Sequence, residues 1–277
     1  MLQNQQNFIN DIGDEGTDFQ RAYLEGRVGG IKVSAGRQEL FLGDGNIYDT
    51  RFDGIILGYG KDIKIEGYYG KPTNLNSAYS VVTEEEKWLA FLEDGTTSYK
   101  YGTKYDKVMG AKLSAKLGVV DAAVAYDRFG GDSQTTIDFA KGTETTKAVD
   151  DIEIVSVQAG LNIAKNLNLS GIYMHADEDA NGDDNGYVLT LSYGGAKAAK
   201  VGSFGLVAKY YDQPATTAIA HTMNGVCGTN GFDGYSLAGY YTVAKNIVAG
   251  VEWYDLESND KSEKEMKSLW TQLVFTF

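Results

Sequence analysis

The residues best suited to holding a metal ion lie in one acidic stretch, Asp177-Glu-Asp-Ala-Asn-Gly-Asp-Asp-Asn. Oxygen ligands recur there at alternate positions around a central glycine, as at the start of a calcium-binding loop. The candidate ligands are Asp177, Asp179, Asn181 and Asp183. The bidentate Glu that should close such a loop is missing, because Val188 stands in its place. Calcium is thus predicted only from an incomplete ligand set, and a solvated acidic hairpin loop is the alternative. No other cofactor is predicted.

A second group of polar residues lies between Glu39 and Asp49, where Gly43 and Gly45 permit tight backbone with positive φ. If this segment folds into a channel, its carboxylates would charge the narrowest point of the opening. The residues assigned to such a constriction are Glu39, Asp44, Asn46, Tyr48 and Asp49. The alternative is a surface hairpin loop whose aspartates only form turn hydrogen bonds.

Neither histidine is accompanied by a catalytic motif. His175 and His221 fall at or within long connections, with no recognisable Ser or Asp motif beside either of them. A catalytic assignment requires a motif together with its structural context. We therefore predict that the protein is not an enzyme.

The elements that carry these residues are predicted to be strands of about ten residues. From Asp18 onward, the connections between them alternate in length, long and then short. This is typical of a membrane-spanning barrel with long extracellular loops and short periplasmic turns. The predicted fold class is therefore all-β: one transmembrane antiparallel β-barrel over residues 1–277. About thirteen strands are counted. Bacterial barrels use an even number, so roughly three further strands upstream would give sixteen, and the barrel is expected to be incomplete at its N-terminus.

Alternation of residue types assigns the two faces of these strands. In the strand after Lys61-Asp62, the apolar set Ile63, Ile65 and Tyr69 alternates with a polar set. A dry core could not hold the polar set, whereas a water-filled lumen could. A β-sandwich with solvated charged faces is the alternative. The residues predicted to line the lumen are Arg21, Tyr23, Glu25, Arg27, Lys32, Lys64, Glu66, Lys112, Lys116, Lys209 and Glu252.

The last strand, Met266 to Phe277, ends the chain on an aromatic residue, with Phe275 two positions before it. Such an ending resembles the closing strand of bacterial outer-membrane barrels, whose terminal aromatic is read by the assembly machinery and then lies in the periplasmic aromatic girdle. Phe275 and Phe277 are therefore the predicted assembly signal. An ordinary edge strand that stops at Phe is the alternative.

Composition excludes some classes of function. The net charge of −13 argues against binding nucleic acid, which requires a basic patch or stripe. A single cysteine, Cys227, cannot form an internal disulfide. The N-terminus has neither the basic region nor the apolar region of a signal peptide, so we expect sequence upstream of Met1.

Several segments together resemble a known family. They are Phe19-Gln-Arg-Ala-Tyr-Leu-Glu-Gly, Ala35-Gly-Arg-Gln-Glu-Leu, Gly43-Asp-Gly and Phe52-Asp-Gly-Ile. These look like the middle of the S-layer-homology-tethered outer-membrane porins (OmpM type) of diderm Firmicutes, which are similar to 16-stranded general porins. The resemblance implies an outer-membrane location, a homotrimer, and contact with the lipid bilayer and lipopolysaccharide. The tethering domain itself is absent from these residues.

The predicted function is passive diffusion of ions and small hydrophilic solutes through the barrel lumen. Many acids fall in long connections, so we expect weak selectivity that favours cations. A substrate-specific barrel channel and a structural envelope protein without transport are the alternatives.

Overall fold

The computed structural model describes residues 2–6, 15–73, 98–101, 105–138, 143–180, 182–225, 231–259 and 265–276. Among these residues, no helix is long and apolar enough to cross a membrane. Two predicted features, the metal ligand Asn181 and the terminal Phe277, lie outside the described residues.

Thirteen strands form one antiparallel sheet, so the predicted strand count and fold class are confirmed. Each strand pairs with its neighbours along the chain, from β3 at one edge of the sheet to β18 at the other. The strands are β3 (Ala22–Val28), β4 (Ile31–Leu42), β5 (Tyr48–Gly60), β6 (Ile63–Pro72), β8 (Tyr105–Leu117), β9 (Val120–Gly131), β12 (Ile152–Ala164), β13 (Leu167–Ala180), β14 (Asp183–Gly194), β15 (Phe204–Gln213), β16 (Phe232–Ala244), β17 (Ile247–Ser258) and β18 (Glu265–Phe275).

Two smaller sheets use segments outside this sheet. Strand β1 (Leu2–Gln6) pairs with β2 (Glu15–Phe19). Strand β10 (Ser133–Asp138) pairs with both β7 (Ser98–Tyr101) and β11 (Thr143–Ala148). The sequence interpretation placed the last three strands in long loops. Threonines in β10 and β11 and tyrosines in β7 favour extended backbone, which explains why parts of these connections form a sheet.

Six of the connections lie together at one end of the main sheet, which we call the short-turn end, and five of them are turns of two residues. Gly29 and Gly30 join β3 to β4, both with positive φ, as a tight hairpin turn requires. Asn166 and Asn246 supply the same left-handed backbone in two other turns, because their short polar side chains tolerate it. The long connections meet at the opposite, long-loop end.

The inner face of the sheet changes character along the strands. Near the long-loop end it is apolar and buried, and we call this region the packed half. Near the short-turn end it is polar, and we call this region the open half. The residues predicted to line the lumen are all polar or tyrosine, and the apolar packed half was not predicted. The inward residues of the packed half include Leu40, Phe52, Val108, Phe129, Ile154, Met174, Val188, Tyr211 and Leu256.

Candidate functional site: an inward-folded loop facing a polar wall

Residues 43–48, here called loop A, fold into the lumen between β4 and β5, and the last of them, Tyr48, is also the first residue of β5. The loop begins with the 3-10 turn Gly43–Gly45, whose three residues all have positive φ. A Cβ at Gly43 would lie 2.7 Å from Ile47 and 3.1 Å from Ile172 of β13. Loop A therefore reaches a strand that is not its neighbour in the sheet, which is possible only because the sheet curves around it.

Residues 214–225, here called loop B, also fold inward and pair with loop A. The Asp49 N–H donates to the Ala220 carbonyl at 2.7 Å, and the Ala220 N–H donates to the Ile47 carbonyl at 2.9 Å. Tyr48 and Ala220 thus form a parallel bridge. The sequence interpretation treated loop B as an ordinary long connection. One signal could have revealed its position: residues 213–231 contain no Asp, Glu, Lys or Arg.

A chain of hydrogen bonds through Gln213 and His221 joins the two loops. The Gln213 amide donates to the Asn46 carbonyl at 3.2 Å. The Met223 N–H donates to His221 Nδ1 at 3.0 Å, which leaves Nε2 to donate to the Gln213 side-chain oxygen at 3.0 Å. The bond to Nδ1 requires the neutral ring, because a protonated ring has no nitrogen left to accept a hydrogen bond. Burial lowers the pKa of His221 to about 3, and the charge of Lys209 acts in the same direction.

Aromatic packing fixes both loops against the packed half. Tyr48 is fully buried, with its ring 5.8 Å from that of Phe129, and its hydroxyl donates to the Arg51 carbonyl at 2.6 Å. The His221 ring lies edge-on to Tyr211 and Phe232, at 5.6 and 5.4 Å. These contacts remove the packed half from water.

The tip of loop A faces the open half. Asp44 is exposed at that tip and lines one cavity together with Lys64, Lys112 and Lys116 of β6 and β8. Three predicted lumen lysines and one predicted constriction acid therefore share one space. The other polar groups that line this cavity are Lys61, Asp62, Glu66, Ser114, Asp121, Gln158, Asn168 and Ser170.

A second cavity continues this polar surface along β3 to β6, and Glu66 lines both cavities. Three ion pairs lie on this wall. Lys32 is 2.9 Å from Glu25 and Lys64 is 2.5 Å from Glu66, while Arg21 pairs with Glu39. Tyr23 lines the same cavity, and Arg27 shares its face of β3. Positive and negative groups thus alternate along one side of the lumen.

Two predicted lumen residues lie in a more enclosed environment. Glu252 is only 3% exposed and accepts hydrogen bonds from the Asn224 amide, the Tyr240 hydroxyl and the Tyr254 hydroxyl. It therefore anchors loop B and does not line open water. Lys209 extends along the neighbouring wall, with its ammonium 6.0 Å from the Tyr211 ring centroid.

The remaining predicted site residues separate into different places. Asn46 and Tyr48 are buried within loop A, so only Asp44 of the loop tip faces the cavity, and Glu39 lies at the edge with Arg21. The acidic stretch forms an extended hairpin in which Ala180 pairs with Asp183. Asp177 accepts a hydrogen bond from the Glu153 N–H. In the described part of the chain, no group of three His, Cys, Asp or Glu side chains could hold a metal ion.

The outer face carries an apolar band between two rows of aromatic residues. On β14, Tyr187, Leu189, Leu191 and Tyr193 all point outward and are 38 to 51% exposed. The two tyrosines are six residues apart, or about 20 Å along the strand. Rings at the same two levels flank the band on adjacent strands, namely Tyr210 and Phe204 on β15, and Tyr235 and Tyr241 on β16. This is the outer surface of a membrane-spanning β-barrel protein.

Solved structures share this fold. The outer-membrane expressed OmpT of Vibrio cholerae is 13% identical, with a TM-score of 0.51 over 95% of this chain and 83% of that chain. Its loop L8 deletion mutant is 14% identical, with a TM-score of 0.53 over 95% and 81%. An anion-selective porin from Comamonas acidovorans is 15% identical, with a TM-score of 0.49 over 94% and 74%. Neither a protein-family model nor a curated protein matches the sequence.

The two OmpT structures establish a porin-type fold for this chain. An antiparallel barrel with an apolar outer band between aromatic girdles is the architecture of outer-membrane proteins. The protein is therefore an outer-membrane β-barrel protein. Its short-turn end is the periplasmic end, and its long-loop end is the extracellular end.

Proposed function

We propose that the protein is a porin that lets ions and small hydrophilic solutes diffuse passively through its lumen. The observation that carries this proposal is the position of Asp44, on an inward-folded loop opposite Lys64, Lys112 and Lys116. Opposite charges on facing walls create a transverse field, which orients dipolar solutes and passes ions of both signs. The ion pairs of β3 to β6 continue this polar path. A channel is proposed over an enzyme because this arrangement serves passage and not bond breaking.

The selectivity that we propose is weak and favours cations. The whole chain carries 38 acids against 25 lysines and arginines. The described cavity wall, by contrast, is rich in lysine, so the cation preference would come from the extracellular acids that concentrate cations at the mouth. A reversal potential that shows anion preference in a salt gradient would contradict this.

A substrate-specific channel is the second candidate, because loop B occupies lumen space that an unobstructed general porin would leave open. Loop B covers Glu252 and packs its turn, Ala215–Thr217, against β13 and β14. A narrower lumen with more enclosed polar groups favours one class of solute.

By resemblance, we further propose a homotrimer related to the S-layer-homology-tethered porins, in contact with lipopolysaccharide. Assembly would use the C-terminal strand, on which Phe275 is 54% exposed and points outward with Leu273 and Leu269. The physical basis is an aromatic side chain at the level of the periplasmic girdle.

The test is single-channel conductance in a planar bilayer, with the folded protein. A current that is linear in voltage, with channels that open or close in groups of three, supports a trimeric general porin if added sugars, peptides or organic anions do not block it. Saturable block by one solute class supports the second candidate. Absence of any conductance from protein that shows heat-modifiable migration on a gel would overturn both.

A further inference from the structure

The periplasmic end of this acidic protein is basic. Its six short connections contain one acid, Asp62. The same connections contain five lysines, Lys61, Lys165, Lys197, Lys200 and Lys245. A chain with a net charge of −13 therefore presents its opposite charge at the membrane surface that faces the periplasm.

Three of these lysines line one cavity. Lys165 lies in the turn between β12 and β13, and Lys197 and Lys200 lie in residues 195–203, which connect β14 to β15. All three side chains are exposed. Among the residues that the structure describes, no carboxylate lies within 4.0 Å of any of these three ammonium groups, whereas Lys32 and Lys64 of the lumen are both paired.

The connection that carries two of these lysines is held in a fixed shape. Ser203 Oγ accepts from the Lys197 N–H at 2.7 Å and lies 3.0 Å from the hydroxyl of the buried Thr242. The Thr242 hydroxyl in turn lies 3.0 Å from the Lys197 carbonyl, and the Asn246 N–H donates to the Ala198 carbonyl at 2.7 Å. The backbone that carries Lys197 and Lys200 is thus braced, which sets where their side chains leave the loop.

One wall of the cavity is apolar and belongs to the outward face of the sheet. Tyr193 and Phe204 lie with ring centroids 5.9 Å apart and are 43% and 48% exposed. They share the outward face with Leu191 and Leu206, which belong to the apolar band, and Val201 is exposed above them. A soluble polyanion would use the lysines but not this surface. A ligand that uses both has an anionic head and an apolar chain.

We propose that this cavity, lined by Lys165, Lys197, Lys200, Tyr193 and Phe204, binds the headgroup of an anionic phospholipid from the inner leaflet of the outer membrane. The ammonium groups contact the headgroup phosphate, and the acyl chains lie over the aromatic pair and the leucines below it. This inference depends on the membrane position of the barrel and not on conduction, so either can fail without the other.

The test is native mass spectrometry of the folded protein in zwitterionic detergent, with phosphatidylglycerol and phosphatidylcholine of equal chain length. We expect retained phosphatidylglycerol in preference to phosphatidylcholine. In the K197Q/K200Q variant we expect retention of phosphatidylglycerol to fall by at least roughly tenfold, because each lysine near an anionic lipid surface contributes to the binding free energy. The control K61Q/K116Q removes the same charge from the turn between β5 and β6 and from the periplasmic end of β8, and it should keep the preference, as should K197R/K200R.

A further variant, Y193A/F204A, tests whether the ligand is an amphiphile. Loss of retained lipid there supports the proposal. Soluble glycerol phosphate should not displace the lipid at equal concentration. Displacement would overturn a lipid site in favour of a simple phosphate site. Equal retention of the two lipids by the native protein would also overturn the proposal. So would an equal loss of phosphatidylglycerol in K197Q/K200Q and in the control K61Q/K116Q.

Discussion

The packed half and the open half of the lumen are built on the same strands and differ in what faces them. On β12, the inward residues Ile152 and Ile154 are buried under loops A and B, while Gln158 of the same face lines the open cavity. On β13, Met174 and Ile172 are buried, and Ser170 and Asn168 line the cavity. One face of one strand therefore changes from apolar to polar within a few residues.

This difference assigns separate tasks to the two halves. Apolar burial is worth about 25 cal/mol per Å2, so the packed half can hold two loops that have few strand hydrogen bonds of their own. The open half contributes little to that packing but exposes charges to passing solutes. The packed half thus holds the constriction loop in position, and the open half supplies the charged groups that passing solutes meet.

The largest expected effect is on stability, from a truncation in the packed half. Phe129 is fully buried between Tyr48 and Tyr105, so Phe129→Ala should cost about 3–5 kcal/mol of unfolding free energy. The matched change in the open half, Ser170→Ala, should stay within about 0.5 kcal/mol. Urea unfolding in detergent measures both. Similar losses for the two variants would remove the distinction between the halves.

The next effect is on pore size, and it follows from the close packing of loop A against its neighbours. Gly45 has φ +80, and a Cβ there would lie 2.8 Å from Phe41 and from Thr222, so Gly45→Val should displace the loop and raise single-channel conductance severalfold. Gly182 also has positive φ, at +90, but has no atom within 4 Å of an added Cβ. Gly182→Val carries the same backbone strain and should leave conductance unchanged. An unaltered conductance in Gly45→Val would show that loop A does not limit passage.

A third effect links pH to the bonds between the two loops. The pKa of His221 is lowered to about 3, from an unfolded value near 6.5, so the fold holds the neutral ring. Stability from this ring is complete above about pH 6.5 and declines as the pH falls toward 3, with a loss of about 2 kcal/mol at pH 5. Conductance should rise over this window as loop B loosens.

Two variants check this pH dependence. His221→Phe removes the titrating ring and should abolish the change between pH 6.5 and 4. His175→Asn alters the exposed histidine of β13 and should keep the native profile. A pH profile that follows His175 instead would contradict the role given to His221.

The smallest effect is on ion selectivity. Asp44→Asn removes the acid opposite the lysine wall and should move the permeability ratio toward anions by roughly two- to threefold, since one charge in water is worth less than about 1 kcal/mol. Asp184→Asn removes the same charge from the β13–β14 hairpin, where Asp184 lies 3.7 Å from the exposed His175, and should have less effect. Reversal potentials in a salt gradient measure the shift, and no difference between the variants would count against Asp44 as the constriction charge.

Sequence reasoning was successful where residues alternate and turn signals are local. The strand expected after Lys61-Asp62 begins at Ile63, and in it Ile63 and Ile65 are exposed on the outer face while Lys64 lines the cavity. It was less successful near the extracellular ends. There the apolar and polar faces of β12 exchange sides, with Glu153 outward and Ile154 inward. The outer surface at this level lies beyond the membrane, and the inner surface packs against the folded loops. That inversion is visible in the sequence, but its cause is not.

The sequence by itself determined the all-β class, the thirteen strands of the main sheet and the two faces of most of them, because strand periodicity and turn chemistry are local properties. Only the tertiary structure decided that loop B turns inward, that Glu252 is buried beneath it, and that Asp44 rather than Asn46 or Tyr48 faces the lysines. These outcomes depend on contacts between strands far apart in the sheet, such as loop A with β13, and no local pattern encodes the curvature that brings them together.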